Sequence, residues 1–167
     1  MIFLIDLMPD MQADRLYDVD LDALAGRGIR VLLLDLDNTL TPWHVNEVDE
    51  PTRAWVRAAQ DKGLAMCIVS NSNGVRASVV AGMLGIEYIK NAGKPFPGGI
   101  RRAMAQMGSD EAATALIGDQ IYTDIKGGKR AGVLTVLTAP IAKREFIWTR
   151  FVRLFEKRKL KQLGICR

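Results

Sequence analysis

The chain has 167 residues, of which 49% are hydrophobic and 25% charged, as is typical of one globular domain. This composition excludes a disordered chain, a collagen-like fibre and a disulfide scaffold. Two cysteines, Cys67 and Cys166, and a single histidine, His44, are too few for a zinc cluster. Because the apolar N-terminus lacks the features of a signal peptide and no run is long enough to span a membrane, we expect a cytoplasmic protein.

The charge is divided unevenly along the chain. Residues 143–167 hold nine Lys or Arg and two Glu, a net charge of +7, whereas residues 1–142 hold 14 basic and 17 acidic side chains, a net charge of −3. A broad apolar stripe across 143–162 predicts a basic amphipathic C-terminal helix. Such a helix either packs on the domain or makes peripheral contact with an anionic membrane surface, and both interpretations remain open. Nucleic acid is disfavoured, because no groove-reading motif accompanies the charge.

Short apolar runs alternate with helical patterns along the chain, which we treat as one domain over residues 1–167. After an N-terminal extension (1–28), five runs predict strands: 30–35, 64–70, 86–89, 113–118 and 133–137. Helices are predicted between them at 50–62, 74–84, 97–107 and 122–131. Runs that are apolar on both faces indicate parallel strands covered by helices on each side. The pattern therefore predicts an α/β fold: a doubly wound, Rossmann-like three-layer αβα sandwich whose central parallel sheet has about five strands.

Polar side chains follow the predicted strands at the point where each strand ends. They are Asp35, Asp37, Asn38 and Thr39 after the first strand, Ser70 and Asn71 after the second, Lys94 after the third, and Asp119 and Asp124 after the fourth. Ligands of open α/β sheets bind beyond the carboxyl ends of the strands. A cluster of carboxylates requires a counter-ion, and oxygen ligands suit Mg²⁺. The lysine and serine then supply donors for an anion such as phosphate.

The same residues resemble the four motifs of the haloacid dehalogenase superfamily. DLDNTLT from Asp35 resembles the DxDxT motif I, Ser70 motif II, Lys94 motif III, and GDQIYTD from Gly118 to Asp124 motif IV. A closer resemblance, to the YqeG type of subfamily IIIA, rests on segments spread over most of the chain: Pro9-Asp10, 17–20, Asn91 to Pro95, Gly127-Gly128 and 130–132. Relatives of that type include the mitochondrial phosphatidylglycerophosphate phosphatases.

The resemblance implies a Mg²⁺-dependent phosphomonoester hydrolase with an aspartyl-phosphate intermediate. Asp35 is then the nucleophile and Asp37 the general acid and base. The metal would be held by the Asp35 carboxylate, the Asp37 carbonyl and Asp119, with Asp124 helping through water. Residues expected to bind or surround the phosphate are Asn38, Thr39, Ser70, Asn71 and Lys94.

The motif spacing limits what can cover the site. Asp35 and Ser70 are 35 positions apart, and Ser70 and Lys94 are 24 apart, so neither gap holds a folded cap domain. We therefore expect a capless, open site, which suits a phosphate on a large molecule and, in particular, phosphatidylglycerophosphate. A small metabolite covered by oligomerisation, a phosphoprotein, and a non-catalytic phosphate-sensing or assembly-partner module are the alternatives. Trp43 and His44, which follow motif I, either flank the entrance or pack locally.

Overall fold

Six parallel strands form a single sheet at the centre of the molecule. The computed structural model describes residues 7–142 and 157–164. The strands are β1 (Met11–Ala13), β2 (Val31–Leu34), β3 (Ala65–Val69), β4 (Glu87–Ile89), β5 (Thr114–Gly118) and β6 (Leu134–Thr138). Their order across the sheet is β1-β6-β5-β2-β3-β4. The chain therefore winds outward in both directions from β2, which confirms the doubly wound α/β prediction.

Helices cover both faces of the sheet. They are α1 (Leu21–Gly26), α2 (Glu50–Asp61), α3 (Val75–Leu84), α4 (Gly98–Gln106) and α5 (Lys126–Ala131). Leu32 and Leu34 of β2 pack in one apolar cluster with residues of α1, α2 and α3. Leu33, between them, packs in a second cluster with residues of α4 and α5. Since successive strand residues alternate between faces, these two clusters are the two interfaces of a three-layer sandwich.

Local capping residues explain where several helices begin and end. Asp49 caps α2, its side chain accepting a hydrogen bond from the Thr52 amide at 3.0 Å, and Pro51 lies in the first turn. Gly85 ends α3 with φ of 64°, and Gly132 ends α5 with φ of 80°. Glycine adopts that left-handed conformation with the least strain, so these helix ends follow directly from the sequence.

The sixth strand, β1, was missed by the sequence analysis. It pairs with β6, Met11 facing Val136 in the register. Its three residues, two half-buried ones on either side of the exposed Gln12, form no apolar run that a sequence pattern could detect. Asp10 fastens the strand, because its carboxylate accepts hydrogen bonds from the amide and the hydroxyl of Thr135, both at 2.8 Å. Residues 7–28, which the sequence sets apart as part of an extension, thus contribute one strand and, with Leu24 of α1, part of the core.

The segments between the motifs hold only the elements of the sandwich. The structure describes all residues from Asp35 to Lys94, and regular elements there are limited to α2, β3, α3 and β4. No cap domain is inserted in this range, as the spacing predicts. The predicted C-terminal helix lies mostly outside the described residues, which resume at 157 with a helical segment over 157–162. Within the described part, no helix is both long and apolar enough to cross a bilayer.

Candidate active site

Motif I leaves the end of β2 as a tight turn that points two carboxylates in different directions. The Asp35 amide donates to the Ile117 carbonyl at 2.9 Å, which continues the pairing of β2 with β5. Asn38 has φ of 62°, and its amide donates to the Thr41 carbonyl at 2.7 Å, which closes the turn. The Asp35 side chain is 12% exposed and the Asp37 side chain 29%, so Asp35 lies deep and Asp37 nearer the opening.

Asp124 reaches the same place from a π-helical turn that follows β5. The turn spans Ile121–Ile125, and the Asp124 side chain is buried against Gly118, the last residue of β5. A Cβ on Gly118 would lie 2.6 Å from the Cβ of Asp124 and nearer still to its carboxylate. Glycine at this position is therefore a steric requirement for placing Asp124. π-Helical turns are rare and occur frequently at functional sites.

Lys94 contacts carboxylates from the first and the last of the four motifs. Its Nζ lies 2.6 Å from Oδ1 of Asp35 and 2.7 Å from Oδ1 of Asp124. The lysine side chain is only 2% exposed, so these two carboxylates replace the water that a surface ammonium would have. An ammonium group buried in this way requires paired anions, because an isolated buried charge is strongly unfavourable.

Three carboxylates converge at the carboxyl edge of the sheet. One oxygen each from Asp35, Asp119 and Asp124 lies within 4.8 Å of the other two. With the single charge of Lys94 beside them, the ionised cluster has a net charge of −2. A divalent cation would neutralise this charge, and a set of carboxylate oxygens fits a hard cation such as Mg²⁺. The donor set therefore fits the divalent metal that the motifs imply.

The electrostatic environment of Asp35 makes this carboxylate sensitive to a cation. Burial, followed by the charges of Asp124 and Asp37, raises the pKa of Asp35 to about 7, against the opposing effect of Lys94. For Lys94, burial alone would lower the pKa, but Asp124 and Asp35 outweigh it and hold the pKa above its ordinary value. Lys94 thus stays charged at neutral pH. A cation at the cluster would favour ionisation of Asp35, since metal ligands must be deprotonated.

Asn71 and Ser70 bring the end of β3 to this cluster. The Asn71 side chain forms two hydrogen bonds with the Lys94 backbone, accepting from its amide at 2.8 Å and donating to its carbonyl at 2.9 Å. The Ser70 hydroxyl accepts from the Ser72 amide at 3.1 Å and lies 2.9 Å from the Ser72 hydroxyl. The sequence assigns Asn71 only a backbone role at the phosphate. Its side chain also fixes the position of the lysine segment.

Asn38 and Thr39 are buried beside the motif I turn. Among the described residues, no hydrogen-bond partner reaches Oδ1 of Asn38 or the Thr39 hydroxyl. Trp43 and His44 follow the turn with their rings in contact, the centroids 3.6 Å apart and the planes tilted by 40°, and His44 is exposed. All nine residues predicted for the site therefore lie at the carboxyl edge of the sheet, on the loops that follow β2, β3, β4 and β5.

Arg76, near the start of α3, is a contributor that the sequence analysis missed. Its guanidinium forms an ion pair with the Asp37 carboxylate, and the Arg76 side chain is 21% exposed. The two residues are 39 positions apart. An arginine in a helical pattern carries no signal of such a contact. Only a prediction of how α3 sits relative to motif I could have identified it.

Comparison with known proteins agrees with this geometry. Residues 91–140 match a HAD-hydrolase-like family model. The fold is shared with the cobalt-bound deoxy-D-mannose-octulosonate 8-phosphate phosphatase YrbI of Haemophilus influenzae. That likeness has a TM-score of 0.56 at 19% identity and covers 69% of this chain and 72% of that one. The fold and the motif residues together define a protein of the haloacid dehalogenase (HAD) class.

Sequence relatives narrow the assignment. The chain is 33% identical over 156 residues to the probable phosphatase YqeG of Bacillus subtilis, covering 93% of this chain and 91% of that protein. It therefore belongs to the HAD phosphatases, hydrolases of phosphoric monoesters, and within them to the YqeG group. It is also 29% identical to phosphatidylglycerophosphate phosphatase 1, chloroplastic/mitochondrial, of Arabidopsis thaliana over 93% of this chain. The chain spans about half the length of that relative, 48%.

Proposed function

We propose that this phosphatase depends on Mg²⁺ and acts through an aspartyl-phosphate formed on Asp35. The observation that carries the proposal is the buried Asp35 carboxylate, 2.6 Å from the Lys94 ammonium and grouped with the carboxylates of Asp119 and Asp124. A carboxylate in this setting can attack phosphorus while fixed positive charge faces the phosphoryl oxygens. Positioning and electrostatic stabilisation are the main tasks of an enzyme that transfers phosphoryl groups.

The proposed reaction has two steps. In the first, an oxygen of Asp35 forms a bond to phosphorus in line with the breaking phosphorus–oxygen bond, and Asp37 gives its proton to the leaving oxygen. In the second, Asp37 takes a proton from a water molecule, whose oxygen bonds to phosphorus as the bond to Asp35 breaks. Phosphate leaves, and Asp35 and Asp37 return to their starting forms.

The remaining site residues bind the phosphate and the metal in this proposal. Lys94, the Ser70 hydroxyl and the Asn71 amide would donate to phosphoryl oxygens, with Thr39 supporting the turn. The Asn38 amide, which the resemblance places at the phosphate, donates instead to the Thr41 carbonyl at 2.7 Å. The metal ligands would be the Asp35 carboxylate, the Asp37 carbonyl and Asp119, with Asp124 acting through water. When bound, Mg²⁺ neutralises charge on the transferring group.

Hydrolysis of p-nitrophenyl phosphate by the purified protein tests the proposal. We expect activity with Mg²⁺, loss of activity with a chelator, and loss of at least about 1,000-fold in Asp35→Asn. Asp61→Asn, at an exposed aspartate of α2, is the matched control. If Asp35→Asn keeps its Mg²⁺-dependent activity, the nucleophile assignment is wrong. If the wild-type protein turns over no phosphomonoester, the chain acts instead as a phosphate-sensing module.

For the substrate, we propose the phosphate of an anionic lipid, with phosphatidylglycerophosphate as the first candidate. The name of the Arabidopsis relative supports this choice, and so does the open site, where Asp37 remains 29% exposed. A lipid phosphate at a bilayer surface can enter such a site without leaving the membrane.

A rim of apolar and basic side chains beside the entrance supports the lipid proposal. Val75 and Phe96 are 67% and 69% exposed, a large solvated area for apolar residues. Lys90 follows β4 and contacts the start of α3 near Gly74. The Arg130 guanidinium lies 5.7 Å from the Phe96 ring centroid. Apolar tips with basic neighbours fit an anionic lipid surface, where the former insert and the latter pair with headgroups.

Vesicles that contain phosphatidylglycerophosphate test this substrate. The measured quantity is the ratio of vesicle hydrolysis to p-nitrophenyl phosphate hydrolysis, which removes effects on folding and chemistry. The double variant Val75→Ser/Phe96→Ser should lower that ratio about tenfold, as expected when two apolar contacts are lost. Val79→Ser, another exposed apolar position on α3, is the control.

Three outcomes of the vesicle assay contradict parts of the lipid proposal. A ratio that stays within twofold in the rim variant means that these side chains make no lipid contact. Turnover of small phosphate esters or phosphopeptides in preference to the vesicles favours the alternative substrates. The predicted basic helix at 143–162 is a second proposed membrane contact. If truncation after Pro140 leaves a folded protein whose vesicle binding is unchanged, that contact is wrong.

A further inference from the structure

The guanidinium of Arg76 connects α3 to the loop that carries the proposed general acid. Every nitrogen of this group donates to residues 37–46. Nη1 pairs with Oδ1 of Asp37, Nε donates to Oδ1 of Asn46 at 3.2 Å, and Nη2 donates to Thr41 Oγ1 at 3.0 Å, the Pro42 carbonyl at 3.2 Å and the Val45 carbonyl at 2.6 Å. These contacts join segments that are 30 to 39 positions apart in the chain.

This donor pattern indicates what Arg76 does at the entrance. A guanidinium has five N–H donors and no acceptor. In this structure all three nitrogens are engaged by the protein, so Arg76 has little capacity left to bind a substrate phosphate. Arg76 lies beside the entrance, and its hydrogen bonds indicate that it holds residues 37–46 in place rather than binding an anion.

The contact with Asp37 involves one carboxylate oxygen. Arg76 takes Oδ1, which leaves Oδ2 outside this ion pair. Asp35, two residues earlier, is held instead by Lys94 at 2.6 Å. The two aspartates of motif I therefore have separate cationic partners, one buried and one near the entrance. With Oδ1 anchored, Oδ2 is the oxygen of Asp37 that can carry a proton to a leaving group.

We propose that Arg76 is a positioning residue that aims Oδ2 of Asp37 at the leaving oxygen and holds the wall formed by residues 41–46 in place. The inference rests on the general-acid role of Asp37 in the proposed function. A proton donor must lie within hydrogen-bond reach of the atom that it protonates. Without Arg76, the Asp37 side chain can rotate away and the loop is released, so the benefit of proton donation falls while the nucleophile remains held by Lys94.

Two aryl phosphates that differ in their leaving group separate this role from a purely structural one. p-Nitrophenolate leaves without much help from an acid, whereas phenolate requires protonation. The measured quantity is the ratio of kcat/KM for p-nitrophenyl phosphate to that for phenyl phosphate. Both esters are measured on one preparation, so the fraction of folded protein cancels from the ratio.

Arg76→Met should raise this ratio about tenfold, and Asp37→Asn about 100-fold, within the range that general-acid catalysis contributes. Arg76→Lys should give an intermediate ratio, because the lysine ammonium keeps the positive charge but lacks the planar set of guanidinium donors. In the Asp37→Asn background, Arg76→Met should change the ratio no further. Arg53→Met is the matched control, since Arg53 donates to the nearby Val48 carbonyl at 2.8 Å without contacting Asp37.

The outcomes distinguish failure of this inference from failure of the proposed function. If Asp37→Asn raises the ratio and Arg76→Met leaves it unchanged, Arg76 is structural and the inference is overturned. The same conclusion follows if Arg76→Met raises the ratio equally with and without Asp37. If Asp37→Asn itself leaves the ratio unchanged, the general-acid role fails and both proposals fall.

Discussion

Replacing Gly118 with alanine tests directly how the cluster of Asp35, Asp119 and Asp124 carboxylates is built. The added methyl group would lie 2.6 Å from Cβ of Asp124, whereas carbon atoms in contact are normally about 3.5 Å apart or more. Gly118 is in β5, between β2 and β6, so the backbone cannot move aside without disturbing both neighbours. We therefore expect the Asp124 side chain to be displaced by about 1 Å.

The expected cost has two parts. Overpacking in a well-filled core costs about 1–3 kcal/mol, which for a domain of this size lowers Tm by roughly 3–10 °C. A displacement of about 1 Å at a catalytic site costs about 100-fold in rate. Gly118→Ala should therefore remain folded, require more Mg²⁺ for half-maximal hydrolysis of p-nitrophenyl phosphate, and lose about 100-fold in kcat/KM.

Gly82→Ala is the control for this experiment. Gly82 lies in α3, and nothing lies within 4 Å of the position that its Cβ would occupy. Alanine there should stabilise the helix by about 0.5–1 kcal/mol and leave the Mg²⁺ requirement unchanged. If Gly118→Ala keeps both its Mg²⁺ requirement and its kcat/KM within twofold of wild type, Asp124 is not placed by this packing. The reasoning from steric contact to metal site is then refuted.

Three further predictions concern Asp35, Asp10 and Asn71. Because burial raises the pKa of Asp35 to about 7, the unfolding free energy of the metal-free protein should fall as the pH rises from about 4 to 7. In thermal-shift assays, Mg²⁺ should therefore raise Tm more at pH 8 than at pH 5. An equal effect of Mg²⁺ on Tm at the two pH values contradicts this prediction. Hydrogen bonds from Lys129 and Thr135 outweigh the effect of burial and lower the pKa of Asp10, so its contribution to stability is present above about pH 4 and lost as pH falls through the lowered value. Asp10→Asn should accordingly cost about 1 kcal/mol in urea unfolding at pH 7 and progressively less as the pH falls below about 4, and a cost that does not change with pH would refute the linkage. Asn71→Ala removes both hydrogen bonds to the Lys94 backbone and should lower kcat/KM about tenfold or more, whereas Asn73→Ala at the exposed neighbour should not; comparable losses in the two variants would argue against this positioning role.

The two aspartates of motif I are held by two different cations, Lys94 and Arg76. Lys94 keeps Asp35, the proposed nucleophile, and Asp124 together in a buried environment, and Arg76 holds Asp37 near the entrance. Here the side chain of Asp35 is 12% exposed and that of Asp37 29%. This difference suits a nucleophile that is shielded from water and an acid that must meet the leaving group.

The sequence by itself determined the central strands and the residues that follow them. Apolar runs such as 31–34 and 115–117 have no polar face, which is typical of parallel strands buried on both sides. The carboxyl ends of such strands share one edge, so Asp35 and Asp119 had to converge once the strands were recognised. Glycines such as Gly132 ended the helices locally. These features depend on interactions over a few residues, which a pattern records.

The tertiary structure alone decided the contacts between distant segments. The three residues of β1 carry no periodic signal and are identified only by their pairing with β6. The pairing of Arg76 with Asp37, and of the Asn71 side chain with the Lys94 backbone, depends on how two loops approach each other after the sheet has formed. The same holds for the close packing of Asp124 on Gly118. Side-chain type and spacing limit which groups can reach the edge of the sheet, but packing between the layers determines which of them meet.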